Sequence, residues 1–377
     1  MSAPAPVKVA VIGMGMSTTV FHVPFILSLP KKFTLAAIVE RSATPEASKA
    51  RDRYGSSITV VNTLDQAITS IPDLSAVWIC SVNDTHYDYA KQALLAGKHV
   101  IVEKPVTPTS VQAEELAKLA RDKNLVLAVY QNRRWDADYL TVKKLIKEGK
   151  LGELSEFTSH FDRYKNVPNA KAWKEAPIPG TGATYDLGSH LIDQILDLFG
   201  PPKSVTGFVR NSRLIGHPEV PDSFVVHLHY PPAPSDPSRS LPLLAIARGS
   251  ILSLQTPQSR FTVKGTRGTF VKYGLDAQEA QLIKDGEKAI GMDGFARDEE
   301  DLWGTLWALE EETGKAGKAQ AIPSERGNYR AWFENVGTAL QANDPSLLIV
   351  KPEQAALTIR IIELAELSSK EGRTIEL

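Results

Sequence analysis

Apolar and polar positions along this chain fall into two textures. Residues 7–12 (VKVAVI) form a short β-branched run closed by Gly13, the pattern of a strand buried on both faces. Residues 35–39 (LAAIV), 75–80 (SAVWIC), 99–102 (HVIV) and 125–130 (LVLAVY) read the same way, with 58–61 (ITVV) a weaker case. Helical spacing lies between them. Residues 85–96 set Tyr89, Ala93 and Ala96 on one face and stop at Gly97, a C-terminal cap signal. Residues 110–123 begin on the capping Ser110 and carry Ala113, Leu116, Ala117 and Ala120 at helical intervals. This alternation predicts an α/β fold with a doubly wound parallel sheet and right-handed crossovers over residues 1–130.

Residues 131–377 read differently. Helical patterns at 137–148 and 186–199 bracket a strand-like 154–164. Strand candidates follow at 204–210, 223–229, 243–252, 260–264 and 269–272, several separated by turn signals such as Pro231-Pro232 and 265–268 (GTRG). Strands this close together, with no helix between them, favour antiparallel pairing. Helices at 327–342 and 352–370 complete a second α/β domain. Residues 231–242 (PPAPSDPSRSLP) read as a polar, proline-rich surface loop.

Composition narrows the function classes. The 377 residues carry 43 Lys and Arg against 44 Asp and Glu, a net charge of −1, so no global field favours nucleic acid or an anionic membrane. Cys80 is the single cysteine, which rules out an intramolecular disulfide and disfavours a cysteine zinc site. No apolar run approaches the roughly 18 residues that span a bilayer. The opening MSAPAPVKVA lacks the basic start and apolar stretch of a secretory signal. The expectation is a cytoplasmic protein with a small-molecule substrate and no metal.

Several segments carry candidate chemistry. Gly13-Met14-Gly15-Met16-Ser17-Thr18 follows the first strand and leads into a helical stretch. Glycine permits a tight turn and close approach of backbone N–H groups to a pyrophosphate, so Gly13, Gly15, Met16, Ser17 and Thr18 are candidate cofactor-binding residues; the third glycine of the usual pattern is Thr18 here. The alternative is a plain glycine turn. At the second strand's end stand Glu40, Arg41 and Ser42. Glu40, 22 residues beyond Thr18, can accept from an adenosine ribose and favours NAD; Arg41 and Ser42 can grip a 2′-phosphate and favour NADP. Ser81, Asn83 and His86 follow a further parallel strand and join the expected cofactor set.

Glu103-Lys104-Pro105 lies at the C-terminal edge of another parallel strand, where open α/β sheets bind ligands. Lys104 could stabilise negative charge developing on a substrate hydroxyl, or be a loop lysine. In YDLGSHLIDQ, Asp186 and His190 are four apart, which places both on one helical face. Histidine titrates near neutrality and can exchange a proton with a hydroxyl, and a carboxylate nearby can orient it. The rival reading is a polar helix face that continues through Asp193 and Asp197; a metal site lacks a second pair of ligands. Asn132-Arg133-Arg134-Trp135 follows the last parallel strand. These can bond sugar hydroxyls or cofactor, or form a surface basic pair over a half-buried Trp. Tyr164, Lys165 and Trp173 precede the Asp186 helix and could line the same cleft. Cys80 and the His227/His229 pair read as structural.

Taken in order, VIGMGMSTTVFHVPF, AGKHVIVEKPVTPT, YQNRRWDADYLTVKKLI, YDLGSHLIDQILDLFG and GTRGTFVKYGLDAQE resemble the Gfo/Idh/MocA family of NAD(P)-dependent oxidoreductases over nearly the whole chain, most of all its NADP-preferring scyllo-inositol dehydrogenase branch. The resemblance implies a Rossmann domain followed by an α/β domain with a large, open, mainly antiparallel sheet. Its free face implies a homodimer or homotetramer. It also implies a catalytic group of Lys104, Asp186 and His190. Glu103 and Lys104, with Arg134 and Trp135, are expected at the cofactor; Lys104, Asn132, Arg133, Tyr164, Trp173, Asp186 and His190 are expected at the substrate. The reaction implied is hydride transfer between NADP, with NAD as the alternative, and a carbinol carbon of a sugar, polyol or cyclitol. Two rival functions share the fold: a non-enzymatic sugar-sensing regulator, and lyase or hydrolase chemistry with tightly held NAD.

Overall fold

A computed structural model describes residues 4–169, 172–233 and 239–377. Residues 234–238 of the proline-rich loop lie outside them. The chain divides into two compact units. One comprises residues 1–132, 279–295 and 329–356; the other comprises 133–278, 296–328 and 357–377.

The first unit holds β1 (Val7–Ile12), a π-helical turn (Ser17–His22) running into α1 (Val23–Ser28), β2 (Phe33–Val39), α2 (Lys49–Tyr54), β3 (Thr59–Val61), α3 (Leu64–Ser70), β4 (Ala76–Ile79), α4 (His86–Leu95), β5 (His99–Val102), α5 (Ser110–Asp122) and β6 (Leu127–Val129). The six strands form one parallel sheet in the order β3-β2-β1-β4-β5-β6. The order reverses after β1, which is the switch point of a doubly wound sheet. Every residue of β4 is buried, as expected of a strand covered by helices on both faces.

The second unit contributes α6 (Ala137–Lys147), β7 (Leu154–Asp162), α7 (Ser189–Phe199), β8 (Ser204–Arg210), β9 (Ser223–Tyr230), β10 (Leu243–Ser250), β11 (Ser259–Gly265) and β12 (Gly268–Tyr273). After α8 (Ala277–Asp285) come β13 (Gly304–Glu310), β14 (Lys315–Ala316) and β15 (Gln320–Ile322). The chain ends with α9 (Tyr329–Ala342), α10 (Pro352–Glu371) and β16 (Ile375–Glu376). Strands β7 to β16 build one ten-stranded sheet along β14-β13-β12-β11-β7-β10-β9-β8-β16, with β15 added beside β13. Its pairings are antiparallel except β7 with β10. Burial alternates along β9: Phe224, Val226, Leu228 and Tyr230 are buried, while Ser223, Val225, His227 and His229 are half-exposed. Phe208 of β8 is 53% exposed on the open side of this alternation. Strands β13 to β15 had no strong period in the sequence. Helix α9 packs inside the first unit, where Trp332 and Phe333 meet Trp78 and Tyr130 ring to ring.

Candidate active site

In the first unit the C-terminal ends of four strands stand side by side. The ladder continues past the strands themselves: Gly13 N–H donates to Val39 O, Cys80 N–H to Ile12 O, and Glu103 N–H to Ile79 O. The glycine turn, Ser81 and the Glu103-Lys104 turn therefore leave the sheet at one edge. Gly13 has φ +100°, and a Cβ there would lie 2.8 Å from Cys80 O, so both conformation and space demand glycine. A Cβ on Gly15 would meet open space, the room a pyrophosphate against the turn requires. Thr18, buried at the third-glycine position, donates its hydroxyl to Gly13 O at 2.9 Å and so ties the turn closed. Met16 is 49% exposed at the helix entry. The residues present thus fit a dinucleotide.

Glu103 is buried at the same edge. Its Oε1 accepts from Ser17 Oγ at 2.5 Å and from His22 Nε2 at 2.8 Å, and its Oε2 accepts from the Lys104 amide at 2.9 Å. Burial pushes this carboxyl upward, but the contacts with His22 and Ser17 and the Lys104 charge outweigh it and hold the pKa below the usual range. The Lys104-Pro105 peptide is cis. Lys104 itself is half-buried. His86 is buried with Nδ1 2.8 Å from Pro105 O and Nε2 3.3 Å from Ser81 O, and burial lowers its pKa. Ser81 Oγ accepts from Thr85, and Asn83 lies half-buried in the turn before α4.

Glu40 does not face outward as a ribose acceptor would. Its carboxylate accepts from Ser48 Oγ at 2.8 Å and from the amides of Lys49 and Ala50 at 3.1 Å, at the start of α2. Burial raises its pKa, but the bonds from Ser48, Ala50 and Lys49 win and lower it. Arg41 and Ser42 are exposed beside it.

In the second unit, Asp186 lies in a π-helical turn (Thr184–Gly188) that enters α7, and His190 is buried in the first turn of α7. The Asp186 carboxylate accepts from Lys174 Nζ at 3.3 Å. The polar stripe of α7 is interior. Arg134, only 4% exposed, forks onto Asp193 at 2.7 and 2.8 Å and reaches Asp197 at 2.9 Å. Arg260, fully buried, donates to Asp138 at 2.7 Å, Ser159 at 2.9 Å and Gln194 at 3.0 Å. Arg133 is buried over the Phe161 ring and bonds Asp136 at 3.2 Å. The basic pair is thus neither a surface feature nor, for Arg134, aimed at a cofactor: its guanidinium is turned onto α7 because the two carboxylates there, Asp193 and Asp197, need compensation. Trp135 and Asn132 are buried, and Tyr164 is 53% exposed. Trp173 stands in the short turn Ala172–Glu175, and its side chain lies outside the described residues.

Two family models match this chain: an oxidoreductase-family NAD-binding Rossmann fold over residues 7–131, and an oxidoreductase-family C-terminal α/β domain over residues 143–377. The chain belongs to the Gfo/Idh/MocA oxidoreductase family. Its Rossmann domain places it among nicotinamide dinucleotide proteins. Among its Gfo/Idh/MocA relatives, an uncharacterised oxidoreductase of Schizosaccharomyces pombe is 41% identical over 99% of this chain and 100% of its own length. The scyllo-inositol 2-dehydrogenase (NADP(+)) IolW of Bacillus subtilis is 35% identical over 98% of this chain and 96% of its own. The solved structure of the Bacillus subtilis oxidoreductase YvaA superposes with a TM-score of 0.88 at 34% identity, covering 100% of both chains. No helix among the described residues is long and apolar enough to cross a membrane.

The sequence reading missed His22, Trp78, Lys174 and Arg260. Only His22 had a visible signal, a histidine five residues after Ser17 within an otherwise apolar stretch. Trp78 and Arg260 meet partners distant in sequence, and Lys174 meets Asp186 from the loop before it with no motif to mark it.

Proposed function

We propose that this oxidoreductase transfers a hydride between NADP and a CH–OH carbon of a sugar, polyol or cyclitol, with Lys104, Asp186 and His190 as its catalytic group. The observation that carries this reading is the sheet edge at which a dinucleotide-shaped glycine turn and Lys104 emerge together, in a chain that also retains the Asp186–His190 pair. The dinucleotide supplies hydride acceptance and donation at its nicotinamide. The chain's residues do the rest. His190 takes the hydroxyl proton at its imidazole during oxidation and returns it in reduction. Lys104 Nζ stabilises the developing alkoxide. Asp186 favours the imidazolium that forms, with Lys174 tempering its charge.

NADP is preferred over NAD on two grounds. The Glu40 carboxylate is occupied at α2, which withdraws the ribose acceptor typical of NAD sites and leaves Arg41 and Ser42 exposed for a 2′-phosphate. The relative IolW is itself named for NADP(+). The half-exposed face of the ten-stranded sheet, with Phe208 and Val225 side by side in register, supports self-association through that face.

A screen of cyclitols, aldoses and polyols against NADP and NAD tests the function. Growth of the reduced-nicotinamide absorbance band with at least one CH–OH compound is expected, faster with NADP. A dinucleotide that binds but is never reduced, or product formed without net reduction, would point to a regulator or a lyase and contradict the proposal.

A further inference from the structure

Four side chains from three separate segments meet behind the dinucleotide turn: Ser17 and His22 of the π-helical turn, Trp78 of β4 and Glu103. Trp78, fully buried on β4, donates from Nε1 to His22 Nδ1 at 2.8 Å. Burial opposes a charge on His22, but Cys80 and Glu103 outweigh it and would carry the pKa up to about 10. The Trp78 donor decides against that charge. A protonated ring would turn a second N–H against the indole N–H, so Nδ1 is the acceptor and the proton resides on Nε2. His22 therefore has one N–H to give, and it gives it to Glu103 Oε1. Ser17 donates to the same oxygen, and Lys104 N–H to the other. His22 is wedged among Trp78, Tyr130 and Phe333, with the Tyr130 ring centroid 4.2 Å away, so its ring cannot swing to another partner without opening the core.

From this geometry we infer that Glu103, aimed by His22 and Trp78, is a positioning residue that locks the dinucleotide turn to the Lys104 turn. One carboxylate oxygen holds Ser17, in the glycine turn's own helix entry. The other holds the amide of Lys104. Neither segment can shift without breaking a charge-assisted bond, so the pyrophosphate-binding amides and the lysine share one reference point. A carboxylate serves here where an amide would not. It has no N–H of its own, and two oxygens can accept from Ser17, His22 and Lys104 together; glutamine would set an NH₂ group against one of those donors. The inference rests on the dinucleotide reading of the turn.

The test is a double-variant cycle on NADP affinity, read by fluorescence titration of the full-length protein. Ser17→Ala and Glu103→Gln should each weaken binding by about 10–100-fold, the loss of a hydrogen bond to a charged group. The double variant should be no weaker than the worse single, because Glu103 acts on the dinucleotide through Ser17. Ser17→Thr, which keeps the hydroxyl, should restore near-native affinity, and this comparison stands even where Glu103→Gln fails to fold. Independent, multiplying losses, or a Ser17→Ala protein that binds like wild type, would overturn the inference. Wild type that binds neither NADP nor NAD would instead overturn the dinucleotide reading itself.

Discussion

The sheet edge of the first unit and helix α7 of the second carry the candidate chemistry in contrasting ways. At the edge, polar groups sit where strands end and backbone amides run out of partners. Local geometry there dictates residue type: Gly13 is forced by φ +100° and by Cys80 O. On α7, Asp193 and Gln194 lie in the interior, at 2% and 0% exposure, and are tolerated only because Arg134 and Arg260 arrive from other segments. Burial raises the Asp193 pKa even against the Arg134 fork, a sign of how costly that placement is. The edge is thus set by the local geometry of turns that leave neighbouring strands side by side. The polar face of helix α7 is held in place by a network assembled from distant parts.

The contrast predicts different failures on the two sides. The largest effect belongs to the edge. Lys104→Ala should cut turnover by about 10²–10⁴-fold while thermal unfolding stays near wild type, because the lysine is half-buried chemistry on a fixed turn. Near-native turnover would remove Lys104 from the reaction. On the helix side, Arg134→Met should cost about 3–5 kcal/mol in urea unfolding, since it leaves Asp193 buried without its partner. A loss under about 1 kcal/mol would mean that the fork is dispensable and the stripe solvated, erasing the contrast.

Arg41→Ala is the next smaller perturbation. NADP affinity, measured by titration, should fall by about 1.5–3 kcal/mol with NAD affinity nearly unchanged, as for one charged hydrogen bond to the 2′-phosphate. Equal losses for both dinucleotides would leave the NADP preference without a source in this loop. The smallest effect is a pH slope. Burial, then Asp138, pushes Asp276 up to about 7. Folded protein therefore holds a proton that unfolded protein releases near its ordinary value of 3.8, so stability falls as pH rises between about 4 and 7. Thermal melts across that window should show a shallower slope for Asp276→Asn than for wild type. An unchanged slope would mean that Asp276 titrates normally and the second unit's interior is wetter than its burial implies.

How much of this was legible in the sequence follows the same division. The parallel strands, the glycine turn and the Glu103-Lys104-Pro105 turn could be read because period, turn chemistry and strand-end position are local properties. The second sheet's strands from β8 to β12 were legible from alternation and turns. Strands β13 to β15 were not: β13 pairs with the nearby β14 and β15, but those two are only two and three residues long and largely exposed, too short to show a period. The Asp193–Asp197 stripe looked like a solvated face, because nothing near it announces the guanidinium from Arg134 that makes burial tolerable. Glu40 was legible as an acidic strand-end residue, but its direction was decided by Ser48 and the amides of α2. The packing of 279–295 and 329–356 with the first unit carries no motif; it comes from aromatic contacts such as Trp332 and Phe333 against Trp78.

The central claim is that hydrogen passes directly between a CH–OH carbon and the nicotinamide, under the control of Lys104 and His190. Supplying a polyol found active in the screen, deuterated at the reacting carbon, together with NADP, and analysing the reduced dinucleotide by mass spectrometry, tests it most directly. The account predicts deuterium carried onto the nicotinamide ring with each turnover, a slowed rate for the deuterated substrate, and both signals lost in His190→Ala although NADP still binds. Deuterium released to solvent, or a His190→Ala protein that transfers it as fast as wild type, would contradict the account.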